Sequence, residues 1–133
     1  MAAPDAQALA AAMPFAVAVG VEVTSATAEE VGGRLAWAAD RCTTAGVLHG
    51  GAIMTLADTL GAICAFLNLP PGAGTSTIES KTNFFAAVRS GHVEGVTHPL
   101  HVGRRTIVVQ TDVRDANGRR VAQVTQTQAV LTD

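Results

Sequence analysis

The chain has 133 residues, of which 48% are hydrophobic and only 15% charged, with a formal net charge of −2 and a pI near 6.0. A chain of this size and apolar content suits one domain that buries a core without disulfides or a structural metal. The acidic balance, with no Lys/Arg-rich run, excludes the basic stripe by which a domain holds nucleic acid, and nothing favours a membrane surface.

Met1 to Pro14 is rich in alanine and lacks a basic stretch, so no signal peptide is expected. Asp5 to Met13 reads as a short helix, capped by Asp5 and stopped by Pro14. This makes residues 1–14 a short N-terminal helical segment ahead of a single domain over residues 15–133. From Phe15 to Ser25 the valines 17, 19, 21 and 23 alternate, which predicts a strand interrupted at Gly20. Val31 to Ala38 is predicted as its partner across the Thr24–Glu30 turn region, and Asp40 to Leu48 as a polar loop.

Gly50 to Asn68 is the one long helix expected, closed by Leu69-Pro70-Pro71-Gly72. It is apolar nearly all round, which marks a central helix wrapped by other structure. Asp58, Thr55, Thr59 and Asn68 within its apolar run argue for a buried helix over a membrane span. The two cysteines, Cys42 and Cys64, form no CxxC pair, so neither a metal nor a redox site is expected, and their use fits a reducing cytoplasm. Cys64, in the apolar run, reads as a small buried hydrophobe.

Beyond the helix the pattern is β. Ser76–Phe85, His92–Pro99, Arg104–Asp112 and Val121–Leu131 are predicted strands, with Asn117-Gly118 supplying the positive φ angles of a hairpin turn. The order strand, strand, helix, four strands predicts an α+β fold, a curled antiparallel β-sheet around one long central helix.

The stretch that carries chemistry runs from Gly46 to Thr59. His49 precedes Gly50 and Gly51 at the helix opening, and Asp58 is a lone acid among Ala57, Leu60 and Ile63. Glycine weakens a helix, so its presence needs a reason. Either the backbone packs tightly there, or the free N–H groups of the helix start are exposed to polarise a carbonyl and hold an oxyanion. Asp58 needs a partner, a solvated groove or a catalytic role to offset its desolvation. His49 reads as a positioner beside the amides.

Gly50 and Asp58 lie about 12 Å apart along one helix, at about 1.5 Å per residue. An oxyanion donor and an acid acting on one carbonyl group must both be near it. Two antiparallel helices about a two-fold axis meet that demand, with Gly50 of one chain facing Asp58 of the other.

The His-Gly-Gly-to-acid segment resembles the hotdog-fold acyl-CoA thioesterases of the phenylacetate-pathway (PaaI) type. It is also similar to the related 4-hydroxybenzoyl-CoA and enterobactin-pathway proofreading thioesterases. The resemblance covers nearly the whole chain from Phe15. It includes Thr77–Phe85 followed by Val88 and Gly91, Pro99–Arg104, and Gly118-Arg119 with Val121-Ala122 and Thr125-Gln126-Thr127. It implies a hotdog fold, a homodimer with a continuous sheet and commonly a homotetramer. It implies Asp58 as nucleophile or general base and the Gly50 amide as the carbonyl-polarising donor, with His49 nearby. The substrate implied is an acyl-CoA, of aryl or phenylacetyl type in some relatives, and no cofactor is expected.

The chain departs from that pattern at Thr43, where relatives often carry Asn or Gln six residues before the histidine. Thr43 is the candidate to replace that amide through its hydroxyl. Ala62 stands where some relatives have a hydroxyl residue near the acid. CoA phosphates need cationic contacts, for which Arg89, Arg104, Arg105 and Lys81 are candidates. Gly51, Asn83 and Phe84 are candidates for substrate contact. Two other functions fit the same fold: a non-catalytic acyl-CoA-binding protein, and a hydratase or dehydratase, against which the Gly-Gly helix opening argues.

Overall fold

The computed structural model describes residues 5–133, so the readings made on Met1 to Pro4 lie outside it. Asp5 accepts a hydrogen bond from the Gln7 N–H at 3.0 Å and starts helix α1 (Ala6–Ala11). The next segment differs from the expected strand. Residues Pro14–Val19 form a second short helix, α2, and only Glu22–Ala26 is strand β1. Pro14 sits at the first helical position, where its fixed φ is pre-set and its missing N–H costs nothing. Gly20 ends the helix at φ 98°, and both it and Val21 donate to the Ala16 carbonyl. Punctuation by Pro and Gly thus overrides the valine alternation, and Val17 points to solvent.

β2 (Val31–Ala36) pairs antiparallel with β1, and two 3-10 turns at Ala39–Arg41 and Thr44–Gly46 lead to helix α3 (Gly50–Leu67). Four strands follow: β3 (Gly74–Phe84), β4 (His92–Val102), β5 (Thr106–Asp115) and β6 (Arg120–Leu131). They form one antiparallel sheet in the order β1-β2-β4-β5-β6-β3. β4 continues past Pro99 by a bulge at Leu100, as a strand proline requires. β5 begins after the predicted Arg104, which lies instead in the β4–β5 turn with Arg105.

At the β5–β6 turn only Gly118 takes a positive φ, of 84°. Asn117 does not, because the Asp115 carboxylate holds the turn by accepting from the Asn117 and Arg119 N–H groups at 3.0 Å each. Those bonds, led by the one from the Arg119 backbone, hold the Asp115 carboxyl below its ordinary pKa.

The sheet curls around α3. By length and composition α3 could cross a membrane, yet Leu56 and Leu60 are fully buried beneath the strands. Gly33 and Gly95 are paired across β2 and β4, and a Cβ on either would lie 2.7 Å from a Leu60 methyl. The two glycines therefore form the seat for the middle of the helix.

β3 is an edge strand with a bulge between Thr77 and Glu79. Its register on β6 puts Thr77, Ser80, Thr82 and Phe84 opposite Gln128, Gln126, Val124 and Ala122. Those β6 residues are buried, so these β3 side chains share the face turned to the helix. Glu79, Lys81 and Asn83 lie on the other face.

Candidate active site

His49 is the N-cap of α3, and its Nδ1 accepts from the Gly51 N–H at 2.8 Å. That bond leaves the imidazole proton on Nε2 in the neutral ring. It also consumes the Gly51 amide. The Gly50 N–H, by contrast, donates to no acceptor among the described residues. At the first turn of an 18-residue helix it is a free donor with positive partial charge. A Cβ on Gly50 would meet the Phe84 ring at 3.0 Å, so the glycine leaves room for that ring.

Gly50 and Phe84 line one pocket of about 400 Å³ together with Thr43, Val47, Leu48 and Ile53. Thr43 is thus beside the free amide, while Gly51 belongs to two neighbouring cavities. One of about 440 Å³ includes Phe15, Arg41, Cys42, His49 and Thr55. The other, a groove of about 510 Å³, is walled by Met13, Phe15, Ala16, Met54, Thr59 and Ser80 and holds Asp58.

Asp58 lies on the ridge Met54, Asp58, Ala62, Phe66, which its own sheet leaves uncovered. The apolar groove walls desolvate its carboxyl and raise its pKa above 3.8, and a hydrogen bond from Gln126 works the other way. That bond runs from Gln126 Nε2 to Asp58 Oδ1 at 3.0 Å.

The fold does not gather every candidate from the sequence. Lys81 and Asn83 lie on the outer face of β3, away from Asp58. Arg89 is at the Gly50 end of the molecule, where its Nη1 donates to the Ala45 carbonyl at 3.2 Å and the adjoining Val88 carbonyl accepts from Leu48. Arg104 and Arg105 are at the opposite end, where the Arg105 carbonyl accepts from the Val130 N–H. Along β6 the two ends, Ala122 beside Phe84 and Val130, are about 27 Å apart at about 3.4 Å per residue. The two arginine groups therefore lie at opposite ends of the sheet.

Sequence reasoning missed Met13, Phe15 and Ala16 as groove walls, because it read part of that segment as strand. It matched Gln126 to a closing strand without giving it a site role.

These features define a hotdog-fold α+β protein with an acid in a groove along its central helix. The model of the thioesterase superfamily matches residues 45–122, and the chain belongs to that superfamily. It is 36% identical over 86 residues to the proofreading thioesterase EntH of Cronobacter sakazakii, covering 65% of this chain and 63% of that protein. It is 35% identical over 86 residues to the 1,4-dihydroxy-2-naphthoyl-CoA hydrolase of Escherichia coli, again covering 65% and 63%. A mutant thioesterase from Pseudomonas aeruginosa superposes with a TM-score of 0.91 at 25% identity, covering 98% of this chain and 96% of that one. The chain spans 51% to 63% of the length of the curated relatives it matches.

Proposed function

We propose that the protein hydrolyses an acyl-CoA thioester to the free acid and CoA. The observation that carries this reading is Asp58, a carboxylate held by one hydrogen bond in an apolar groove, on the same helix as a free N-terminal amide. Superfamily membership supports it, as do relatives named a proofreading thioesterase and a CoA-thioester hydrolase.

In this reading the Gly50 N–H polarises the thioester carbonyl and holds the oxyanion formed on attack. Asp58 delivers the attacking oxygen, either its own or that of a water whose proton it takes. Collapse of the tetrahedral intermediate breaks the C–S bond and releases CoA, its thiolate taking the proton that the water gave up; where Asp58 itself attacked, water then cleaves the mixed anhydride to the free acid and returns the carboxylate. Thr43, beside Gly50, offers a hydroxyl to the thioester, and His49, the N-cap of α3, carries a further donor at Nε2. The groove of about 510 Å³ around Met13, Phe15 and Met54 has the volume and apolar character for the acyl group, aryl or phenylacetyl among them. Phe84, over Gly50, borders the carbonyl. Arg89, which follows Val88 of the Gly50 pocket, is the candidate phosphate contact at that end.

The active unit in this reading is a homodimer, alone or paired into a homotetramer. The separation of Gly50 from Asp58 along one helix supports it. So do the free edge of β3 and the uncovered ridge with Met54 and Phe66 exposed. Antiparallel β3–β3 pairing extends the sheet and sets the two helices antiparallel. The two free thiols fit a cytoplasmic setting.

Thiol release from a panel of phenylacetyl-, benzoyl-, 4-hydroxybenzoyl- and octanoyl-CoA tests the proposal. Turnover by the wild type and none by Asp58→Asn is the expected result. Tight binding of these esters with no turnover would instead assign the protein to acyl-CoA binding.

A further inference from the structure

A chain of buried amides and hydroxyls runs from Asp58 into the sheet. Gln126 and Gln128, successive inward residues of β6, are each 1% exposed. Gln126 Nε2 donates to Asp58 Oδ1 at 3.0 Å and to Gln128 Oε1 at 2.9 Å. Gln128 Oε1 also accepts from the Thr77 hydroxyl at 2.5 Å, and its Nε2 donates to Thr75 Oγ1 at 3.2 Å. Thr75 in turn donates to the Ala129 carbonyl at 2.8 Å.

The direction of this chain is fixed from its far end. The Ala129 carbonyl can only accept, so Thr75 gives it a proton and accepts from an N–H of Gln128. The oxygen of Gln128 must then face Gln126, which turns the N–H₂ of Gln126 toward Asp58. Both hydrogens of that amide are used. Its oxygen, Oε1, is buried with no hydrogen-bond partner. An amide that leaves its acceptor orphaned at a cost while spending both donors is placed for its donors.

Gly61 supplies the space. It is one turn beyond Asp58 and fully inside α3, where glycine is unfavourable. A Cβ there would lie 2.2 Å from Gln126 Oε1 and 2.9 Å from its amide carbon. Glycine lets the Gln126 amide lie against the helix and reach the carboxylate.

We infer that Gln126, braced by Gln128, Thr75 and Thr77 and admitted by Gly61, is a positioning residue for Asp58. It holds Oδ1, fixes the carboxylate rotamer and leaves Oδ2 turned to the groove as the reacting oxygen. The inference rests on the proposed role of Asp58. Among the described residues no other titratable side chain lines this groove from α2, α3 or β3. Glu79 and Lys81 are on the far face of β3, and His49 and Arg41 belong to the adjoining cavity. The neutral Gln126 is therefore the main local influence that favours the ionised acid.

The test combines kinetics on benzoyl-CoA and octanoyl-CoA with NMR titration of the Asp58 carboxyl carbon, using wild type, Gln126→Leu, Gly61→Ala and Asp58→Asn. Loss of a hydrogen bond to a charged group predicts a fall in kcat of about tenfold or more in Gln126→Leu, with KM within about twofold. Removing the donor disfavours the carboxylate, so the Asp58 titration and the acidic limb of the rate profile both move to higher pH. Gly61→Ala, which places a better helix former in α3, shifts both in the same direction. It carries the test if Gln126→Leu does not fold. A wild-type Asp58 titration and kcat in either folded variant would overturn the positioning role. With Asp58→Asn inactive, that result would leave the role of Asp58 standing. Turnover retained in Asp58→Asn would instead remove the underlying reading.

Discussion

Asp58 carries the one formal charge on α3, and its setting makes two opposite demands on it. The apolar groove favours the neutral acid, whereas the proposed reaction uses the anion. Because its pKa is raised by desolvation, activity is expected to fall as pH drops through a value above that of an ordinary aspartate. The stability consequence has the other sign. Between the unfolded pKa near 3.8 and the higher folded one, the folded state binds more protons, so stability declines as pH rises through that window. Asp58→Asn removes this decline while keeping an oxygen for Gln126. Calorimetry at pH 7 is expected to show a higher Tm for the variant than for wild type, the difference vanishing below the unfolded pKa. His49→Ala removes the bond to the Gly51 N–H and is expected to cost about 1 kcal/mol in urea unfolding. Asp58, Gly50 and His49 were legible in the sequence because a lone acid in an apolar helix and two helix-opening glycines each break a local rule. Gln126 was not, since Thr125-Gln126-Thr127-Gln128 is polar on both faces of a strand and the pattern gives no inward side. Gly61 was the available signal, a helix-interior glycine whose reason lies on another strand.

At the scale of elements, the long helix and the four later strands followed from periodicity and from Pro and Gly boundaries. The exception was α2. Valine alternation predicted strand there, but Pro14 and Gly20 bracket one helical turn and a half, and only Ala16 of that helix is buried. The local rules that fix backbone angles outweighed a side-chain pattern with little to bury. Gly20 carries a double requirement, a positive φ and space for the Arg41 guanidinium, which a Cβ would meet at 2.2 Å. Gly20→Ala is therefore expected to destabilise by more than about 1 kcal/mol, read as a lower urea midpoint. Since α2 also supplies Phe15 and Ala16 to the groove, KM for acyl-CoA is expected to rise in the same variant.

For the whole molecule, the strand count and antiparallel character were legible, but strand order was not. β3 lies beside β6 at the sheet edge, far in sequence from its partner, and only the closed topology puts it there. The free edge of an 11-residue strand, with Ile78 62% exposed, is a surface that invites pairing. Ile78→Arg places a charge on that edge. Light scattering at micromolar concentration is expected to show a dimer for wild type and a monomer for the variant, with turnover lost alongside. A monomeric, active wild type would refute the shared site.

The bulge in β3 bears on how its length can vary. Thr77 and Ile78 together oppose the single residue Gln128, so Ile78 is a supernumerary position in the ladder. Deleting it would restore plain alternation and leave Thr77 and Ser80 both turned inward. Inserting one more residue would instead absorb the bulge into the ladder, keeping the faces but sliding Glu79 to Phe84 two places along β6 and carrying Phe84 off Gly50. The strand is thus tolerant of shortening and intolerant of lengthening at the same point, an asymmetry that would govern which length variants of this chain keep a working groove.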